Sequence, residues 1–282
     1  MLNRMAVVLA LMAIAASASA QPTGKIVFTS VRNGNAEVCV INANGTGFEN
    51  LTDDDAYDDQ PALSPDGTEV VFVSNRDGNR ELYLMNIASG DVVRLTNTDD
   101  SEIDPVFTND ASGVIYTLET GEGRDVYRLD LVSGESKAVY AGGEDERMAY
   151  QGPGGKIAYV AAVNGDDEIM LKDSSGRKQL TDSPGIDIMP TITADGKQVF
   201  FVTTREGDYD LYLMYADGTG ERPFLNTETS EGRGAPSPDG GYVAVANEET
   251  GSLDIYVYDM DGNRVLQLTD DAYDNYEPHW SK

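Results

Sequence analysis

Pro61-Ala62-Leu63-Ser64-Pro65-Asp66-Gly67 opens a segment that continues through Val70-Val71-Phe72-Val73-Ser74, Arg76-Asp77-Gly78-Asn79, Glu81-Leu82-Tyr83-Leu84-Met85 and Val92-Val93-Arg94-Leu95-Thr96. Four short runs of β-type residues are separated here by turn residues. Pro-Asp-Gly and Asp-Gly-Asn supply the turn geometry. The alternation in Leu82-Tyr83-Leu84 suits a strand buried on both faces. Further copies begin at Pro105, Met148, Pro190, Gly234 and Pro278, at successive spacings of 44, 43, 42, 44 and 44 residues. Four strands per unit at this period predict the blades of a β-propeller.

The sixth copy is split between the two ends of the chain. Pro278-His279-Trp280-Ser281-Lys282 supplies only a first strand, whereas Gly24-Lys25-Ile26-Val27-Phe28-Thr29-Ser30 reads as the second strand of the same pattern. The expectation is an all-β, six-bladed propeller of four-stranded antiparallel blades. Its ring is closed by the C-terminal strand pairing with the N-terminal three, which removes exposed sheet edges.

The first 20 residues are set apart from the fold. Asn3 and Arg4 precede an apolar run from Met5 to Ala16, and Ala18-Ser19-Ala20 is a small-residue cleavage site. This predicts a secretory signal peptide over residues 1–20 and a mature propeller over 21–282. The expected location is periplasmic or secreted. The apolar run is too short to span a bilayer comfortably, so no membrane insertion is expected after cleavage.

The formal charge is −29; loss of Arg4 with the leader brings it to −30. Such a field disfavours nucleic acid and favours cations and basic protein surfaces, besides serving solubility. Cys39, within Val38-Cys39-Val40-Ile41, reads as a buried, unreactive thiol with no intramolecular partner.

Ser64-Pro65-Asp66-Gly67, Ser74-Asn75-Arg76-Asp77-Gly78-Asn79 and the Leu-Thr pairs at 51–52, 95–96, 180–181 and 268–269 resemble the repeat of the TolB-like propellers, also called WD40-like or PD40. Pro278-His279-Trp280-Ser281 supplies the aromatic form of its opening. The resemblance covers the propeller pattern and leaves out the N-terminal α/β domain that the family's translocation protein carries. It implies protein binding in the periplasm, with the partner unnamed.

Three columns emerge when the copies are aligned. At the start of the third strand stand Glu37, Glu81, Asp125, Glu168, Asp210 and Asp254, with Arg32, Arg76 and Arg205 in the preceding turns. These are expected to form ion pairs or turn hydrogen bonds within blades. Two residues on stand Cys39, Tyr83, Tyr127, Met170, Tyr212 and Tyr256, read as packing between blades. Three positions before each copy's start stand Asp58, Glu102, Asp145, Asp187, Glu231 and Asn275, expected in loops at one mouth of the channel. This ring is the candidate binding site for an envelope protein or a basic, extended peptide. Asp58, Glu102 and Asp187 are the candidate ligands for Ca²⁺, which accepts oxygen donors in flexible geometry; no cofactor is otherwise required.

Catalysis finds little support. There is no Gly-x-Ser-x-Gly elbow, and the one histidine, His279, cannot build a multi-histidine metal site. The leading reading is a non-catalytic, monomeric protein-binding propeller of the envelope. The alternative is a glycan-binding or carbohydrate-active propeller.

Overall fold

The computed structural model describes residues 21–140, 144–249 and 251–282. The expected leader at 1–20 lies outside the described residues. Six four-stranded sheets follow one another around a ring. Blade 1 is the split one: Asp274–Ser281 is its innermost strand, followed outward by Lys25–Arg32, Asn35–Asn42 and Glu49–Asn50. Blades 2 to 6 take their innermost strands from Asp58–Leu63, Ser101–Phe107, Glu146–Gln151, Asp187–Ile192 and Glu231–Pro236. Each runs outward through three more antiparallel strands in chain order.

The two chain ends close the ring through a ladder from Lys25↔Ser281 to Val31↔Asp274. Trp280, 4% exposed, stacks on Tyr242 of blade 6. Its Nε1 donates to the Thr23 carbonyl at 2.9 Å. Ser281 Oγ donates to the Ser64 carbonyl at 2.6 Å, tying blade 1 to blade 2. Gly24 is required at this joint: its φ is +96°, and a Cβ there would lie 2.1 Å from the Ser281 carbonyl oxygen.

The core lies between blades. One apolar cluster joins blades 4 to 6 through Val160, Phe200, Leu211 and Val243, and another joins blades 2 to 4 through Val71, Ile115 and Tyr159. Smaller clusters fill the joints of blade 1 with blade 6 and with blade 2. The expected packing column follows this plan: Cys39, Tyr83, Met170, Tyr212 and Tyr256 are buried in these clusters, and Tyr127 packs against one of them.

The repeat motifs are hydrogen-bond devices. In Ser64-Pro65-Asp66-Gly67, Ser64 Oγ donates to Asp66 Oδ1 at 2.7 Å and accepts from the Glu69 amide at 3.0 Å. Thr108–Asp110, Thr193–Asp195 and Ser237–Asp239 repeat this contact. The Leu-Thr ending acts on the third strand. Thr52, Thr181 and Thr269 donate to Glu37, Glu168 and Asp254, and each accepts from the backbone amide following that acid.

The innermost strands begin earlier than the Pro-based alignment predicts. Each contains a bulge, after which the residue facing the neighbouring strand changes. In blade 4 the alignment is also displaced by one. Glu146 pairs with Ala161 as Asp58 pairs with Ser74, so Ala149, not Met148, matches Pro61.

Removing the closing aromatic tests the ring. Trp280→Ala is expected to lower unfolding free energy by about 3–5 kcal/mol in urea titration. A loss below about 1 kcal/mol would contradict closure through this strand.

Candidate functional site in the central channel

The expected ring of acids is placed at one face of the propeller, within the innermost strands and not in loops. Asp58, Glu102, Asp187 and Asn275 are 0% exposed and Glu231 is 1% exposed, so none of the five is offered to solvent. Asp145 departs from the pattern. It lies just before the strand, partly exposed, and receives Arg124 Nε at 2.7 Å and Nη2 at 2.6 Å. Glu146, 0% exposed, takes the place assigned to it.

Each first-strand position faces the third-strand acid of the preceding blade. The backbone amides of Glu102, Glu231 and Asn275 donate to the carbonyls of Arg80, Tyr209 and Leu253, which directly precede Glu81, Asp210 and Asp254. Asp58 likewise acts on Glu37, Asp187 on Glu168 and Asp125 on Glu146. The two acidic columns therefore meet at the six seams between blades.

The arginines do not serve the column to which the sequence assigns them. Arg76 Nη2 reaches Asp58 at 3.1 and 3.0 Å, and Arg205 Nη2 reaches both oxygens of Asp187 at 3.1 Å. Their guanidinium carbons lie 4.8 Å from the rings of Tyr83 and Tyr212. Arg32 instead bonds Asp271 at 2.8 Å, because Asn275 offers it no charge. Asn275 Nδ2 itself donates to Asp271 at 2.9 Å.

Asp58, Glu102 and Asp187, the expected Ca²⁺ ligands, stand in three different blades and have separate partners. Asp58 is held by Arg76, Glu102 by Thr98 and Asp187 by Arg205 and Ser183. Among the described residues, no three of His, Cys, Asp or Glu are grouped to hold a metal ion.

The channel is lined by residues that the sequence reading did not single out. At the bulge of each innermost strand stand Gln60, Asp104, Met148, Met189, Arg233 and Glu277. Five of these six have φ between +52° and +54°. A left-handed backbone is uncommon outside glycine and marks a constrained site. Gln60 Nε2 donates to Asp104 at 3.0 Å, and Gln60 Oε1 accepts from the Asp104 amide at 3.0 Å. Thr117 Oγ1 donates to the other Asp104 oxygen at 3.1 Å. Arg233, on blade 6, acts electrostatically on Asp104 of blade 3, directly across the ring.

Burial pushes Glu277 up to about 7, against the pull of Arg233. Burial likewise raises Asp59 to about 6, although Arg80 pairs with it. Asp104 is raised by the same cause. His279 is driven down to about 3, chiefly by burial and then by Arg233. Its Nδ1 accepts from the Leu63 amide at 3.1 Å, which places the ring proton on Nε2.

The channel widens at both ends. At the seam face a groove of about 340 Å³ is lined by Met189, Tyr209, Leu253, Tyr276, Arg233 and Glu277. At the opposite face His279, Tyr150, Phe107, Ile192 and Trp280 border a cavity of about 230 Å³. The loops that lead into the innermost strands bear exposed Asp53, Asp54, Asp55, Asp99, Asp100, Asp182, Glu228 and Asp270.

Ring, seams and axial channel define an all-β propeller of repeated four-stranded blades. The chain belongs to the PD40 family, described as the TolB beta propeller domain, whose family model matches residues 3–177. It is 27% identical over 127 residues to the Tol-Pal system protein TolB of Anaeromyxobacter dehalogenans, covering 44% of this chain and 29% of that protein. An uncharacterized protein of Agrobacterium fabrum is 31% identical over 85 residues, 30% of this chain and 29% of that protein. The matches thus span under a third of these relatives' length. Among solved structures, TolB from Acinetobacter baumannii superposes with a TM-score of 0.81 at 18% identity, over 93% of this chain and 67% of that one. An oligogalacturonate lyase from Vibrio parahaemolyticus superposes with a TM-score of 0.58 at 15% identity, over 88% of this chain and 75% of that one. At such identities these likenesses speak for the fold.

Two outcomes are expected. Arg205→Ala, which strands the buried Asp187 carboxylate, is expected to cost about 3–5 kcal/mol in urea unfolding, and Asp187→Asn in the same chain to restore part of it. The single histidine is expected to keep constant NMR shifts from pH 8 to pH 5; a titration midpoint near 6.5 would contradict its burial as a neutral ring.

Proposed function

We propose that this protein is a non-catalytic protein-binding propeller of the cell envelope, exported by its N-terminal leader to the periplasm or beyond. It takes an extended, basic segment of another envelope protein into the groove at the seam face of the channel. The observation that carries this reading is the groove itself. Its walls are largely apolar, Arg233 and Glu277 are among its lining residues, and the loops leading into the innermost strands carry exposed acids. A basic segment approaching this acidic loop face is attracted before contact, while apolar side chains on the segment desolvate the walls. Membership of the TolB beta propeller family supports a partner that is a protein. The buried seam acids are part of the blade joints, so the exposed loop acids take over the steering role expected of the column. The protein acts as a monomer.

The test is capture from cell-envelope extract on the immobilised protein, compared with a Tyr209→Ala, Leu253→Ala, Met189→Asp variant. A retained envelope protein that the variant loses at least about tenfold supports the reading. Equal retention by both proteins, or retention of glycan alone, would refute it.

A further inference from the structure

The six seams solve one problem in three ways. Five of them bring two acids from neighbouring blades together in the protein interior, where two bare carboxylates repel strongly, and the sixth brings an acid against an amide. At two seams an arginine is supplied: Arg76 at Glu37/Asp58 and Arg205 at Glu168/Asp187. At a third the position is an amide, Asn275 beside Asp254. Glu81/Glu102, Asp125/Glu146 and Asp210/Glu231 have neither device at the first-strand acid.

The seam carboxylate oxygens left without a partner belong to these same three seams. Glu81 Oε2, Glu102 Oε2, both oxygens of Glu146, both of Asp210 and Glu231 Oε2 are buried without a hydrogen-bond partner. No oxygen of Asp58, Asp187, Glu37 or Glu168 is in that condition; at the amide seam the neutral Asn275 Oδ1 is. Buried polar atoms without partners are rare, and each calls for an explanation.

We propose that these three seams are proton-binding sites, each holding one proton between the carboxyl groups of Glu81 and Glu102, Asp125 and Glu146, and Asp210 and Glu231. The proton turns a repelling pair into a carboxyl–carboxylate hydrogen bond and supplies the missing donor. The seams thereby become a proton-linked clasp between blades 2 and 3, 3 and 4, and 5 and 6.

The surroundings of each pair fit one proton. At Glu81/Glu102, Arg94 Nη2 and the Thr98 amide bond Glu81 Oε1 at 2.8 and 2.9 Å, and Thr98 Oγ1 bonds Glu102 Oε1 at 2.8 Å. Tyr116 also faces Glu102. Burial acts against Glu81, but these donors and Thr96 hold its carboxyl below the usual range, whereas burial and Glu81 push Glu102 up to about 7. The proton therefore resides on Glu102. Glu146 faces Asp125, Glu144, Arg177 and Tyr159, and burial followed by Asp125 raises it to about 7. Glu231 faces Asp210 and Tyr258 and is bonded by Thr227 and Asn247; burial raises it to about 7. Around Asp210 stand Asp208 and Glu206, and burial raises it too. In blade 5, Asn226 follows Leu225 in place of the motif threonine and bonds Glu206, so Asp210 lacks the hydroxyl its counterparts receive.

An acid whose pKa is raised on folding contributes stability that is complete below its unfolded value. That contribution is lost as pH rises through the folded value. For Glu102, Glu146 and Glu231 the window runs from 4.5 to about 7.

The experiment compares the full chain with its Glu102→Gln, Glu146→Gln, Glu231→Gln variant, in choline chloride, by thermal unfolding and by potentiometric titration between pH 5.5 and 8.5. The wild-type midpoint is expected to fall as pH rises. The triple variant is expected to fall less, to exceed wild type at pH 8.5 and to take up about three fewer protons on acidification. A folded triple variant with the wild-type pH slope and proton uptake would overturn the proposal. Should that variant not fold, Asn275→Asp gives the converse test by placing a second acid beside Asp254 at the seam that has only one. It is expected to lower the midpoint at pH 8.5 far more than at pH 5.5, and equal losses at both would overturn the proposal. If CaCl₂ restored the wild-type midpoint at pH 8.5 and this rescue vanished in the glutamine variant, the seam ligand would be a cation and not a proton.

Discussion

Everything in this molecule depends on packing one blade against the next while keeping their charges apart. The apolar clusters are shared between neighbouring blades, so no sheet has a complete core alone. The same contact brings an acidic third-strand residue against a first-strand position of the following blade. In a chain of charge −29 these seams are the costliest places for carboxylates. Arginine, amide and proton are three local answers to one geometric demand, and the fold tolerates the demand because the apolar contacts beside it are continuous.

Closure has the same logic. A ring of shared joints is as strong as its last joint, and here that joint is formed by the two ends of the described chain. Residues 274–281 provide an innermost strand, so they lie on the channel and not at the periphery. Channel-lining Glu277 and His279 thus sit on the strand that shuts the ring. Whatever occupies the channel touches the closing strand directly, which couples binding to the integrity of the ring.

Much of the fold is legible in the sequence because its motifs are local. Ser64-Pro65-Asp66-Gly67 and Leu95-Thr96 make their hydrogen bonds within a blade, so residue type and spacing carry the information. The site is less legible. In blade 4 there is no proline to anchor the alignment, and the adjacent acids Asp145 and Glu146 make a shift of one residue invisible until strand pairing is known. Two acidic columns lie at the same face, so spacing alone assigns Arg76 and Arg205 to the wrong one. The channel ring of Gln60, Asp104, Met148, Met189, Arg233 and Glu277 has no common chemistry at all. Its shared feature is a backbone bulge, which has no residue signature in this chain.

Hydrogen–deuterium exchange of the backbone, read blade by blade, tests the closed ring most directly. Amides of Lys25–Arg32 that pair with Asp274–Ser281 should exchange as slowly as those joining first and second strands in the other five blades, opening only with global unfolding. Fast exchange confined to that pair of strands would contradict the account, leaving an open stack of five blades with a frayed sixth.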